Sequence, residues 1–124
     1  MALSKRVKVG GSYYKGYKLV VSAAAASYQL DMALSVNSAI NGIMIIPDAL
    51  GVGDTFKLEH LTGAGTLKKT LAETIYNIGA YAGWNFDLAT LEPMDANDIL
   101  RLTYTNVAGN ALNVYTSVEY AGVQ

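Results

Sequence analysis

Apolar and polar residues alternate in short stretches along most of this chain. From Ser27 to Val36, Tyr28, Leu30, Met32, Leu34 and Val36 alternate with Gln29, Asp31, Ala33 and Ser35. That period of two predicts a strand with one buried face. Tyr17–Val21 predicts another strand, and the alanines that follow it predict a bend or a close backbone approach. Asn41-Gly42 reads as a tight-turn signal. Ile43-Met44-Ile45-Ile46 is apolar at every position and predicts a strand covered on both faces, ended by Pro47. Residues 54–61 predict a strand with Phe56, Leu58 and His60 on one face. Trp84, Phe86 and Leu88 alternate with Asn85, Asp87 and Ala89 and predict a further strand. A final hairpin is expected to pair Leu100, Leu102 and Tyr104 with Leu112, Val114, Val118 and Tyr120. Residues 67–76 fit helical spacing at Leu67, Leu71 and Ile75, while Thr70, Thr74 and Tyr76 favour a strand.

The C-terminal two-thirds repeats itself. Gly53-Asp54-Thr55-Phe56-Lys57-Leu58-Glu59-His60-Leu61-Thr62 and Asn97-Asp98-Ile99-Leu100-Arg101-Leu102-Thr103-Tyr104-Thr105-Asn106 align at an offset of 44 residues (98 − 54). Gly65 then falls on Gly109, and a Pro with a small acidic turn precedes each copy, at Pro47-Asp48 and Pro93-Met94-Asp95. About eight strands with turns every eight to twelve residues predict an all-β, antiparallel sandwich of jelly-roll type. The expected organisation is a basic, extended N-terminal arm over residues 1–18 and a sandwich domain over residues 19–124.

Charge sharpens that division. Lys5, Arg6, Lys8, Lys15 and Lys18 give residues 1–18 a charge of +5, and no acid precedes Asp31. The remainder carries four basic against ten acidic residues, or −6. A basic arm on an acidic body suits docking to an acidic surface, whether a second copy, another protein or nucleic acid. Tyr13, Tyr14 and Tyr17 interleave with these lysines. Tyrosine suits both base stacking and half-wet protein interfaces, and the acidic remainder, which repels a polyanion, favours the interface. The candidate partner-interface residues are therefore Lys5, Arg6, Lys8, Tyr13, Tyr14, Lys15, Tyr17 and Lys18. Only 15% of the chain is charged while 52% is hydrophobic, a balance expected of a subunit that covers much of its surface with neighbours. No stretch approaches the ~20 apolar residues of a membrane-spanning helix.

Candidate chemistry is sparse. The chain has no cysteine, which excludes disulfides and thiolate metal sites. His60 is the single histidine. It is in phase with Phe56 and Leu58, and it reads as an aromatic-like residue at a sheet rim. No Gly-x-Ser-x-Gly elbow accompanies it. Gly51-Val52-Gly53 opens like a dinucleotide fingerprint, but it lacks the third glycine and leads into a strand. Asp95, Asn97 and Asp98, with Asp48 and Asp54 in the other copy, could offer oxygens to a cation, yet turn chemistry uses the same residues. Glu59 and Glu73 could oppose each other across a hairpin, as paired carboxylates do in glycoside chemistry. No catalytic residue, cofactor or metal site is expected.

The segments Gly53–Leu61 and Ala96–Thr105 resemble turn-Asp-strand segments in the jelly-roll or β-sandwich head decoration (cement) proteins of tailed bacteriophages. The resemblance covers residues 40–124. It implies a non-enzymatic virion protein, made in the host cytoplasm, that binds outside a capsid lattice, often as a homotrimer, and stabilises it. The implied partners are the capsid protein and copies of itself, with no small-molecule substrate and no membrane. A carbohydrate- or receptor-binding module of a tail, fibre or cell surface is a second reading. A self-assembling shell or filament subunit is a third.

Overall fold

The computed structural model describes residues 13–49, 51–75 and 84–122, and for residues 74, 75 and 84–91 the backbone only. The strands are β1 (Tyr13–Val21), β2 (Ser27–Ala33), β3 (Ser38–Pro47), β4 (Thr55–Leu61), β5 (Leu67–Ile75), β6 (Trp84–Met94), β7 (Ile99–Thr105) and β8 (Leu112–Gly122). They form two four-stranded antiparallel sheets, ordered β1-β8-β3-β6 and β2-β7-β4-β5. This is the double-sheet jelly roll expected from the alternation. The inward positions of both sheets, among them Val21, Ile40, Ile43, Ile45, Leu58, Leu102, Val114 and Val118, make one buried core. The ambiguous segment at residues 67–76 is strand through Ile75, paired along its length with β4.

The repeat is visible as geometry. Shifting β4 by 44 residues lands on β7, and the two strands lie side by side with Leu58 opposite Leu102. The amide of Asp54 donates to the Gly51 carbonyl at 3.0 Å, and that of Asp98 donates to the Asp95 carbonyl at 3.0 Å. Each of these turns places its third residue in the left-handed region, Gly53 at φ 89° and Asn97 at φ 68°. Glycine enters that region freely and asparagine more readily than other side-chain-bearing residues. The turns that leave β4 and β7 match as well, with Gly65 at φ 91° and Gly109 at φ 79°.

Four expectations are corrected. The strands β7 and β8 do not form a hairpin. Both edges of β7 are occupied, by β2 and β4, so the chain crosses to the other sheet, where β8 lies between β1 and β3. Asn106 ties down this crossing, its side-chain amide donating to the Ser22 carbonyl at 2.8 Å and the Asn110 carbonyl at 3.0 Å. Asn41-Gly42 is not a turn but a register irregularity within β3, where pairing with both β6 and β8 shifts between Ile40 and Gly42. Only one face of the Ile43–Ile46 segment is covered. Ile43 and Ile45 are buried, whereas Met44 is exposed. Glu59 and Glu73 do not oppose each other, because the partner of Glu73 is Lys57 and that of Glu59 is Thr70. The first two strands also differ in extent. β1 begins four residues before the expected Tyr17, and β2 ends at Ala33.

Candidate interaction face and the charged clasp

The two sheets present chemically different outer faces. On β2-β7-β4-β5 the outward positions carry paired charges. Asp31 accepts from Arg101 through both oxygens, at 2.7 and 3.0 Å. Lys57 lies 3.8 Å from Glu59 and is the register partner of Glu73. The Arg101 hydrogen bonds hold the Asp31 carboxyl below its ordinary range, against a smaller opposing effect of burial. Thr55, Thr103, Thr105 and Gln29 fill much of the rest. This is a face matched to water.

The outward positions of β1-β8-β3-β6 are different. Tyr14 is 70% exposed, Val20 64%, Tyr115 43% and Met44 40%. Ile46 is half-buried, and Gly16 and Ser117 lie between the larger side chains. Lys18 and Glu119 are the charged residues in the outward phase of β1, β3 and β8, and the register of β6 sets Asp87 opposite Gly42. The Lys18 ammonium lies 6.0 Å from the Tyr115 ring centroid. An apolar and tyrosine-rich surface with few charges on β1, β3 and β8 has the composition of a protein interface.

The expected interface residues divide between this face and its neighbourhood. Tyr14 and Lys18 point outward from β1. Tyr13, Lys15 and Tyr17 have the opposite phase, at the end of the sandwich. There the Tyr13 ring stands 5.7 Å from that of Tyr120, and the Lys15 ammonium 5.4 Å from the Tyr17 ring. Tyr17 packs against the core. Residues 13–18 are therefore sheet, and the basic Lys5, Arg6 and Lys8 lie outside the described residues.

His60 is not a rim aromatic. It is 3% exposed and points inward from β4. Its Nδ1 lies 2.7 Å from Glu92 Oε2, on β6 of the other sheet, and its Nε2 lies 2.8 Å from Asp98 Oδ2. Lys69, the register partner of His60, donates to Glu92 Oε1 at 3.0 Å, and Lys68 donates to Asp98 Oδ2 at 2.9 Å. The Asp95 amide adds a third bond to Asp98, at 3.2 Å. Burial alone raises the Asp98 carboxyl. The bonds from Lys68, His60 and the Asp95 amide outweigh it and hold the group at about 2. Burial likewise raises Glu92, and its bonds to His60 and Lys69 bring it below the ordinary glutamate value. The ring is thus held between two buried carboxylates, one from each sheet. The result is a clasp joining the two sheets at one end of the sandwich.

Asp54 makes the matching structure at the other end of the repeat. Fully buried, it accepts from the Tyr104 hydroxyl at 2.6 Å and from the amides of Val107 and Ala108 at 2.6 and 2.8 Å. Each aspartate thus binds the last inward side chain of the other copy's strand, Asp54 with Tyr104 and Asp98 with His60. Of the turn residues that could offer oxygens to a cation, Asp54 and Asp98 accept from these donors, both Asp48 oxygens accept from Asn113 at 2.7 and 3.0 Å, and the exposed Asp95 carboxylate lies 3.5 Å from the Lys68 ammonium. Among the described residues no group of three or more His, Asp or Glu side chains is arranged to hold a metal ion. The sequence did hold one signal for the clasp. The offset that aligns Asp54 with Asp98 also aligns His60 with Tyr104, and antiparallel pairing of the two copies brings each aspartate to the other's aromatic.

No protein-family model matches this sequence, and no curated protein matches it. Solved structures share the fold. Over 91% of this chain and 23% of its own length, the arabinose-bound α-L-arabinofuranosidase MgGH51 is similar at a TM-score of 0.52 and 9% identity. The SPBc2 prophage-derived protein YomS is similar at a TM-score of 0.50 and 9% identity. That likeness covers 91% of this chain and 97% of YomS, so the two are of matching size, and at such identity both likenesses speak to the fold alone.

Proposed function

We propose that this chain is a structural protein of a phage particle, a capsid decoration subunit that acts by docking and without catalysis. The observation that carries this reading is the contrast between the two sheet faces. One is laced with paired charges, while the other exposes Tyr14, Val20, Met44 and Tyr115 with few charges among them. The matching size and fold of a prophage-derived protein support the particle context. The internal chemistry supports a passive role, because the clasp around His60 and the Asp54 cluster are buried and their carboxylate oxygens accept internal donors. In this account the apolar sheet face supplies the contact area. The basic residues Lys5, Arg6 and Lys8 add attraction to an acidic neighbour, and repetition over a shell multiplies modest contacts into firm attachment.

The test is particle composition. Virions purified from cells infected with the phage that carries this gene should contain the chain in fixed ratio to the capsid protein, and labelled antibody should mark the outside of the head. Removing residues 1–12 should lower occupancy without unfolding the sandwich. Absence of the chain from particles, or its presence only on a tail, would refute the decoration reading.

A further inference from the structure

We propose that the outer edge of β1 receives an extended segment of another protein as a fifth strand, and that this segment carries acidic residues three positions apart. This deepens the docking reading above and rests on it, because it names the chemistry of the partner.

The basic residues point to it first. Among the described residues, Lys57, Lys68, Lys69 and Arg101, all on β2-β7-β4-β5, have carboxylate partners in Glu59, Asp98, Glu92 and Asp31, at 3.8 Å or closer. Lys15 and Lys18, both on β1, have none. Their ammonium groups lie over tyrosine rings instead, 5.4 Å from that of Tyr17 and 6.0 Å from that of Tyr115. No acid occurs in β1. Two cations without counter-charge on one strand favour an anionic neighbour.

The edge itself is the second observation. β1 is an end strand of its sheet and, among the described residues, pairs with β8 alone. That pairing runs unbroken through nine residues, from Tyr13 opposite Tyr120 to Val21 opposite Leu112. Two other end strands are irregular, since β5 shifts register twice against β4 and β6 shifts against β3. Such irregularities twist an edge away from further pairing. The fourth end strand, β2, is regular but shorter, and its acid, Asp31, is bound by Arg101. An uninterrupted edge is the template that strand addition uses.

Charge then selects the occupant. Lysines on an edge keep like strands apart. β1 of a second copy would set lysine against lysine, and so would residues 1–12, which carry Lys5, Arg6 and Lys8. The acids Asp31, Glu59 and Glu92 on the strands of a second copy already have basic partners. An acidic strand from a different protein meets no such barrier. Lys15 and Lys18 are three residues apart, which puts them about 10 Å apart along the strand and on opposite faces of the sheet. A segment laid beside β1 answers both only if its own acids are spaced by three. Its other side chains cover Tyr13 and Tyr14, which are exposed on the two faces.

The experiment titrates the full chain into labelled peptides, read by fluorescence anisotropy, with circular dichroism as the check on folding. The probe is a blocked peptide of Thr and Val, as long as β1, with two Glu three positions apart. It should bind about tenfold or more tightly than the same peptide with Lys in place of Glu. The double variant Lys15→Glu/Lys18→Glu should reverse that order and stay folded. In an added strand, alternate amides face β1 and the rest face away. N-methylation of the probe in one phase should therefore abolish binding, and in the other phase should leave it nearly unchanged. A merely electrostatic contact would not distinguish the phases. No binding of the Glu peptide, equal binding of both peptides, an unchanged order in the double variant, or equal effects of the two methylation phases would overturn the proposal. If the peptide fails but particles contain the chain, the edge site falls and the decoration reading stands. If the peptide binds as stated but particles lack the chain, the reverse holds.

Discussion

Replacing Asp98 with Asn tests the clasp most sharply, because the structure gives both a magnitude and a pH window. The carboxyl is held at about 2 against an ordinary value of 3.8. That difference corresponds to roughly 2.5 kcal/mol of native-state stabilisation, at about 1.4 kcal/mol for each unit. The Lys68 partner is 38% exposed, so solvent screening trims the figure toward about 2 kcal/mol. The folded value lies below the unfolded one, so between them the unfolded chain binds more protons. The contribution is therefore fully present above about pH 4 and is lost as the pH falls toward 2. Glu92 is lowered too and acts in the same direction. Urea unfolding followed by far-UV circular dichroism, from pH 7 down to pH 2, should show the wild type ahead of Asp98→Asn by about 2 kcal/mol at neutral pH. For a chain of this length that is on the order of 8 °C in melting temperature. The gap should close on acidification. A gap that stays constant from pH 5 to pH 2 would refute the argument.

Other substitutions reach different parts of the account. His60→Leu removes one hydrogen-bond partner each from the buried Glu92 and Asp98 carboxyls and should cost about 2–4 kcal/mol, at about 1–3 for each buried polar group left short of a partner; a loss under 1 kcal/mol in urea titration would contradict the clasp. Asp54→Ala removes the acceptor shared by the Tyr104 hydroxyl and the amides of Val107 and Ala108 and should cost about 3 kcal/mol, read by the same titration. Gly53→Asn should be nearly neutral in melting temperature, because Asn97 holds the equivalent conformation in the second copy and nothing lies within 4 Å of a Cβ added at Gly53. Gly53→Val, by contrast, should lose about 1–2 kcal/mol to backbone strain alone.

Alternation made the strands legible in the sequence, since a period of two states which side chains point inward. It does not state which strand is the neighbour. That is why residues 112–122 suggested a hairpin with 99–105, when both edges of β7 were already taken. The repeat was legible in more detail than the topology, down to the turn residues Gly53 and Asn97 and the exits at Gly65 and Gly109. At Asn41-Gly42 a turn dipeptide lies inside a strand, where pairing on both sides keeps the chain extended through the irregularity. The clasp was hidden because its members come from residues 60, 68, 69, 92 and 98, and only the packing of one sheet on the other brings Glu92 to His60. The apolar outer face was half legible. Tyr14 and Lys18 were named from composition, whereas Tyr115 and Met44 emerged as their companions only when β8 and β3 took their places beside β1.

The central claim is that this protein works through the outer face of β1-β8-β3-β6. Hydroxyl-radical footprinting of the assembled and the dilute protein, read by mass spectrometry, tests it most directly. Met44, Tyr14 and Tyr115 are reactive side chains on that face, and the account predicts that assembly protects them several-fold while Lys57, Thr103 and Gln29 on the opposite sheet stay as reactive as in the dilute chain. Equal oxidation of Met44 and Tyr115 in both states, or protection confined to β2-β7-β4-β5, would contradict it.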